Sequence, residues 1–141
     1  GLIIAERQQT SDVTYRIHDF DRVDTKGSKR ELHNDLAIEA IDFTIPDSYR
    51  TIYERSSSEQ VIGTSNYFTT KRRLLNKSTT LNFDHFSCTV LMCIEGCYDV
   101  SYFKELPTIS KGDTVLVPSC IEELRLKPRS NGILLEIKIP Y

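Results

Sequence analysis

Cys88-Thr89-Val90-Leu91-Met92-Cys93-Ile94-Glu95-Gly96-Cys97-Tyr98-Asp99-Val100-Ser101-Tyr102 is the stretch that decides the fold class. From Cys88 to Ile94 it is near-continuously apolar, the pattern of a strand buried on both faces. Glu95-Gly96 reads as a turn. Beyond it Tyr98, Val100 and Tyr102 alternate with polar neighbours, as on a half-buried strand. Downstream, Lys111-Gly112-Asp113 is a turn and Thr114-Val115-Leu116-Val117 runs into Pro118. Leu124 and Leu126 share a face. Ile133, Leu135, Ile137 and Ile139 share another, with Glu136 and Lys138 expected to point away. Upstream, Tyr67-Phe68-Thr69-Thr70 is followed by Lys71-Arg72-Arg73, which reads as a solvated strand edge rather than a phosphate clamp. Many short strands between closely spaced turns, with no helix among them, predict a mostly β sandwich or jelly-roll barrel over residues 65–141.

The amino-terminal half reads differently. Ser28-Lys29-Arg30-Glu31 has the form of a capping box, in which the serine oxygen accepts from the third amide and the glutamate reaches back. Leu32, Leu36, Ala40 and Phe43 then recur at helical spacing with Ile41 alongside, predicting one amphipathic helix over residues 28–43 that Pro46 stops. Residues 44–64, ending in Ser56-Ser57-Ser58-Glu59-Gln60, read as a connector. Gly1-Leu2-Ile3-Ile4 looks like a strand already under way, as in a fragment or a chain parted from its upstream strands. Thr14-Tyr15-Arg16-Ile17 reads as a second short strand, with the polar Gln9-Thr10-Ser11-Asp12 between them. No internal repeat is present.

Eighteen Lys and Arg against twenty Asp and Glu give a formal charge of −2, which makes nucleic acid or an anionic membrane a poor default partner. No apolar run approaches the roughly 18–20 residues of a membrane helix. The start lacks a basic n-region and meets Glu6 at once, so it does not read as a signal peptide. Cys88, Cys93, Cys97 and Cys120 form no CxxC pair and read as reduced, structural thiols of a cytosolic protein. His18, His33 and His85 are single and scattered, without the spacing of a local zinc site.

Two segments, at opposite ends of the chain, match one family. Ala5-Glu6-Arg7-Gln8-Gln9-Thr10-Ser11-Asp12-Val13-Thr14-Tyr15-Arg16-Ile17-His18-Asp19-Phe20-Asp21-Arg22 is followed by Arg30-Glu31-Leu32-His33 and a helical stretch ending Ala40-Ile41-Asp42. This resembles the bacterial type I mannose-6-phosphate isomerases, which carry an AE-x-QQ-[ST]-SD-x-TYR-x-x-D-x-x-R stretch and then RELH. Ile94-Glu95-Gly96 with Lys111-Gly112-Asp113-Thr114-Val115-Leu116-Val117-Pro118 looks like the carboxy-terminal cupin of the same enzymes. The resemblance covers about residues 1–44 and 65–141. It implies a mostly β chain built on a cupin jelly-roll barrel (a double-stranded β-helix) with one preceding helix. Residues 1–27 are then the strands that end a catalytic cupin, 28–64 a helix and connector, and 65–141 the carboxy-terminal cupin.

The family interconverts mannose 6-phosphate and fructose 6-phosphate in the cytoplasm with zinc, whose ligands lie upstream of the positions this chain matches. The resemblance therefore implies zinc in the full-length enzyme and none on this chain, which alone is expected to be inactive. It carries over two non-metal site positions, Glu6 from the AE step and Arg16 ten residues on. Moving a proton between C1 and C2 through an enediol needs a positioned acid or base and a cation near developing oxyanion charge or the phosphate. Arg7 and His18 depart from the family, which has an aliphatic and an aromatic residue there. The carboxy-terminal cupin lacks both metal motifs and is expected to be metal-free. An exposed apolar edge at Leu2-Ile3-Ile4 predicts a homodimer by strand addition or swapping. The competing readings are a non-enzymatic cupin module, binding a sugar or a partner, and a generic jelly roll of unrelated activity.

Overall fold

The apolar run from Thr89 to Ile94 forms the first half of one long strand rather than a strand that ends in a turn. In the structure, a computed structural model that describes residues 4–6, 8, 13–49, 52 and 54–139, the chain divides into two units. One comprises residues 1–7 and 51–141, the other residues 8–50. The larger unit holds β1 (Glu59–Thr64), β2 (Thr69–Leu75), β3 (Thr79–Asn82), β4 (Thr89–Tyr102), β5 (Lys104–Ser110), β6 (Thr114–Val117) and β7 (Glu123–Lys138).

All seven strands join one antiparallel sheet, organised by the two longest. β4 and β7 pair along most of their length. Where Thr89–Cys93 faces Leu134–Lys138, the order across the sheet is β1-β2-β7-β4-β6. Where Tyr98–Ser101 faces Arg125–Pro128, the order is β3-β7-β4-β5. The register slips between Cys93 and Tyr98, and there the two half-sheets diverge.

The expected turn at Glu95-Gly96 is thus a bulged bend inside β4, which absorbs extra residues without leaving the ladder. Gly96 has φ +91°, open to glycine at little cost. Opposite it, a Cβ on Gly132 would lie 2.2 Å from the Glu95 carbonyl oxygen and 2.3 Å from the Tyr98 hydroxyl, so the two backbones meet where only glycine fits. Tyr98, wholly buried, donates its hydroxyl to that same carbonyl at 3.0 Å and locks the bend.

The bend also changes which residues face inward. Leu91 and Cys93 are buried before it, Tyr98 and Val100 after it. They join Leu75, Leu81, Phe83, Ile109, Val117, Leu124, Leu126 and Leu134 in a single core drawn from both half-sheets. Burying each Leu of this set contributes roughly 1.5–3 kcal/mol. At the carboxy-terminal end of β7 both faces are covered: Leu134 and Glu136 are at 0% and 2% exposure on one, and on the other Leu135 is at 8% with Ile133 and Ile137 half-buried, so the expected apolar face is present but Glu136 is buried rather than turned to solvent. Alternation alone placed a carboxylate outside because it took no account of cations waiting for it inside.

The smaller unit contains α1 (Asn34–Ala40), a single short helix in place of the one expected over 28–43. The capping box does not form. Ser28 is spent closing a turn: its amide donates to Asp24 Oδ1 at 2.9 Å and its carbonyl accepts from the Asp24 amide at 2.9 Å. His33 stands at the N-cap without a side-chain cap bond. The helix ends well before Pro46, because Ile41 turns extended and Asp42 Oδ1 accepts from the Thr44 amide at 2.8 Å. The strand expected at Thr14–Ile17 is not formed either. Among the described residues of this unit the only β pairing is an isolated bridge between Val23 and Lys29. The strand expected at Leu2-Ile3-Ile4 and the turn at Gln9–Asp12 lie almost wholly outside the described residues.

Candidate functional site

Arg16 sits half-buried in the smaller unit, and its backbone is fixed before its side chain is considered. Its amide donates to His33 Nδ1 at 3.1 Å, and its carbonyl accepts from the His33 amide at 2.7 Å. Since Nδ1 accepts, the neutral imidazole carries its proton on Nε2. The guanidinium gives one donor, Nη1, to the Glu31 carbonyl at 3.1 Å. The remaining donors of its planar fork have no partner among the described residues, which suits bidentate recognition of an oxyanion.

The loop that presents Arg16 is held by a carboxylate. Asp19 is 8% exposed and bonded to two arginines. Arg30 reaches both of its oxygens, Nε to Oδ2 at 2.8 Å and Nη2 to Oδ1, and Arg22 Nη2 adds a contact to Oδ1 at 2.9 Å. The hydrogen bonds from Arg30 are the largest cause holding the Asp19 carboxyl down at about 2. Phe20 and Asp21, both at positive φ, carry the chain around this clamp. So Asp19, Arg22, Arg30 and His33, which the sequence reading quoted as motif letters without roles, are the parts that shape the Arg16 loop. Their spacing was the available signal: an acid and two arginines repeated in the fingerprint, with no apolar periodicity to explain them.

Glu6, the other sequence-derived site residue, belongs to the larger unit and is exposed. It therefore does not share a unit with Arg16.

The larger unit has a second charged cluster, on the inward face of the β1-β2-β7-β4-β6 half. Here Lys71-Arg72-Arg73 departs from the solvated edge expected. Arg73, 18% exposed, bonds through Nε to buried Glu136 and through Nη1 to Glu59. Lys71 Nζ meets Glu59 at 2.6 Å, and Lys138 Nζ meets Glu136 at 3.3 Å and Asp84 at 3.7 Å. Arg72, on the other face, reaches the Ser57 carbonyl at 3.5 Å. The Lys71 hydrogen bond, followed by the nearby Arg73 charge, holds the Glu59 carboxyl below its usual range. Three cations balance three carboxylates, so the cluster is neutral and its buried glutamate is satisfied.

The described residues do not fit a zinc ion. No three His, Cys, Asp or Glu side chains among them converge on a metal-sized site. His33 is engaged with Arg16, His18 packs edge-on against Phe20 at 4.6 Å between ring centres, and His85 Nε2 lies 3.6 Å from Glu122. All four cysteines are free thiols; Cys93 is buried, which pushes its thiol up, whereas Cys120 is exposed rather than structural.

The bent antiparallel sheet closing on one core is a cupin jelly roll. An RmlC-like cupin from Shewanella frigidimarina superposes on 68% of the chain and 89% of its own, with a TM-score of 0.52 at 18% identity. More particularly, the chain is homologous to the carboxy-terminal portion of the mannose-6-phosphate isomerases. It is 31% identical to Mannose-6-phosphate isomerase ManA of Bacillus subtilis over 132 residues, which span 90% of this chain and 41% of that protein. The crystal structure of the mannose 6-phosphate isomerase from Bacillus subtilis matches 92% of the chain and 41% of its own, with a TM-score of 0.69 at 26% identity. The chain thus spans about two fifths of the length of these relatives. No protein-family model matches it.

Proposed function

We propose that this chain is the carboxy-terminal part of a cytoplasmic mannose-6-phosphate isomerase, interconverting mannose 6-phosphate and fructose 6-phosphate. The single observation that carries this is the likeness to the Bacillus subtilis enzyme in both sequence and backbone across nine tenths of the chain. On this reading residues 1–27 end a catalytic cupin, and the helix and connector expected over 28–64 give way to the carboxy-terminal cupin already at β1, which starts at Glu59 rather than at residue 65. Arg16 offers its fork to the sugar's anionic oxygens, and the loop clamped by Asp19 keeps it in place. Glu6 is assigned the proton that moves between C1 and C2, because the enediol step needs an acid or base and Glu6 is the carboxylate that the resemblance carries over. Zinc belongs to the full-length enzyme and is held by residues outside this chain. The isolated chain does not turn over substrate.

The test compares the 141-residue chain with a longer protein carrying the upstream cupin. A coupled assay with fructose 6-phosphate and metal analysis should find turnover and bound zinc only in the longer protein. There Arg16→Ala should lower kcat/KM by about 100-fold or more with zinc content intact, as expected when a charge-stabilising group is removed. Glu6→Gln should be milder. Zinc-dependent turnover by the short chain, or full activity in Arg16→Ala, rejects the assignment.

A further inference from the structure

His33 stands at the N-cap of α1 and does not cap it. A side-chain acceptor at that position ordinarily takes a bond from the first free amides of the helix. The half-buried His33 ring spends Nδ1 instead on the Arg16 amide, seventeen residues back and 3.1 Å away. Three bonds thus tie Arg16 to this segment: the one to the ring, one from the His33 amide to the Arg16 carbonyl at 2.7 Å, and one from Arg16 Nη1 to the Glu31 carbonyl at 3.1 Å. Two of the three end on backbone carbonyls, which do not titrate. Only the third ends on an acceptor that a proton turns into a donor. A protonated imidazole carries N–H on both nitrogens, so Nδ1 then meets the Arg16 N–H donor to donor. Across from the ring lies Tyr15, with ring centres 6.4 Å apart and planes at 60°. On the segment of His33 itself the titratable neighbours are Glu31 and Asp35, the latter in the first turn of α1. Arg30 is bound to Asp19, whose carboxyl is held down at about 2. That clamp therefore keeps its charge throughout the range in which an imidazole titrates.

We propose that His33 is the positioning residue for Arg16: its neutral ring fixes the Arg16 backbone, and a proton on Nδ1 breaks that bond and lets the guanidinium leave its place. This rests on the reading of Arg16 as the group that meets the substrate's anionic oxygens, and adds to it a dependence on the state of one ring. A planar fork recognises an oxyanion only while its geometry is held. To Arg16, losing Nδ1 by substitution and losing it by protonation are the same event. A His33 variant and the unaltered protein should therefore differ at neutral pH and converge in acid. A residue that merely supported the fold would leave the two apart at every pH.

Nuclear magnetic resonance of the isotope-labelled 141-residue chain tests the contact without turnover. At pH 8 the His33 ring should carry its proton on Nε2. Between about pH 8 and pH 5 the Arg16 amide should shift with the midpoint of the His33 ring, and not with those of His18 or His85. In the longer protein carrying the upstream cupin, His33→Ala should lower kcat/KM for fructose 6-phosphate about tenfold at pH 8, the effect of one lost hydrogen bond, with zinc content intact. By about pH 5 the two proteins should have converged. His33→Asn, whose side-chain oxygen is an acceptor that gains no proton in this range, should recover most of the loss at pH 8 and keep it at pH 5. A proton on Nδ1, or an Arg16 amide indifferent to the His33 titration, overturns the proposal and leaves the isomerase reading untouched. A ratio between unaltered protein and His33→Ala that is constant from pH 8 to pH 5 also overturns it. Full activity in Arg16→Ala rejects the isomerase reading of Arg16, and the role of His33 with it.

Discussion

The two units are held together by opposite means. The sheet unit buries a continuous apolar core and satisfies its backbone through ladders, so its stability is spread over many contacts. Among its described residues the smaller unit buries one apolar side chain, Ala37, and leaves Ile17, Phe20, Leu36, Ile38 and Phe43 exposed. Its shape depends on a few charged bonds around Asp19 and on the turn closed by Asp24. A core tolerates the loss of any one polar contact, whereas a charge clamp fails with its central carboxylate.

The largest effect should come from hollowing the sheet core. Leu134→Ala, at a site with no exposure, should cost about 3 kcal/mol or more in urea unfolding monitored across the sheet, as for other buried leucines. Gly132→Ala should follow at about 2 kcal/mol, because its methyl meets backbone rather than a movable side chain. If Gly132→Ala is neutral, the bend is not the close approach described.

Acid should separate the units. The Asp19 carboxyl is lowered to about 2 in the folded chain, so the stability it supplies is complete above its unfolded value near 3.9 and is lost as pH falls toward 2. Hydrogen exchange should therefore show loosening of residues 13–33 between about pH 4 and pH 2. Asp19→Asn should give the same loosening at neutral pH while leaving protection in β4 and β7 unchanged. Equal loss in both units would show that they are not separately held. The smallest effect belongs to Ser28→Ala, within about 0.5 kcal/mol, since Ser28 holds its turn through backbone groups and caps no helix. A cost near the roughly 1 kcal/mol of a true N-cap would restore the capping box.

The same contrast explains what was legible in the sequence. Most of the sheet unit was readable, because Val100, Leu124 and Leu126 obey a period of two, Leu91 lies in an unbroken apolar run, and turns such as Lys111-Gly112-Asp113 carry their own chemistry. The exceptions were Glu95-Gly96, Glu136, the solvated edge expected at Lys71-Arg72-Arg73 and the connector expected at Glu59-Gln60, where pairing with a distant strand or charge overrode the local pattern. In the smaller unit the helical periodicity of Leu32, Leu36, Ala40 and Phe43 overstated a seven-residue helix, because intervening side chains fold the chain into turns first. Arg16 came from a resemblance rather than from periodicity. Asp19, Arg22 and Arg30 had no role until their side chains were seen to meet, since residues three and eleven apart along a loop share no face by rule.

The pairing of β7 with β2, β3 and β4 has a consequence for synthesis on the ribosome. The strand that joins these three is the last of the seven in chain order, so they emerge into solution before their common neighbour exists. β4 can meet β5 and β6 early, through short connections, but β2 and β3 must wait for Glu123–Lys138 to leave the exit tunnel. Because such non-local pairing is slow and leaves edges open meanwhile, the nascent chain passes through a stage in which half the barrel is ready and has nothing to close on.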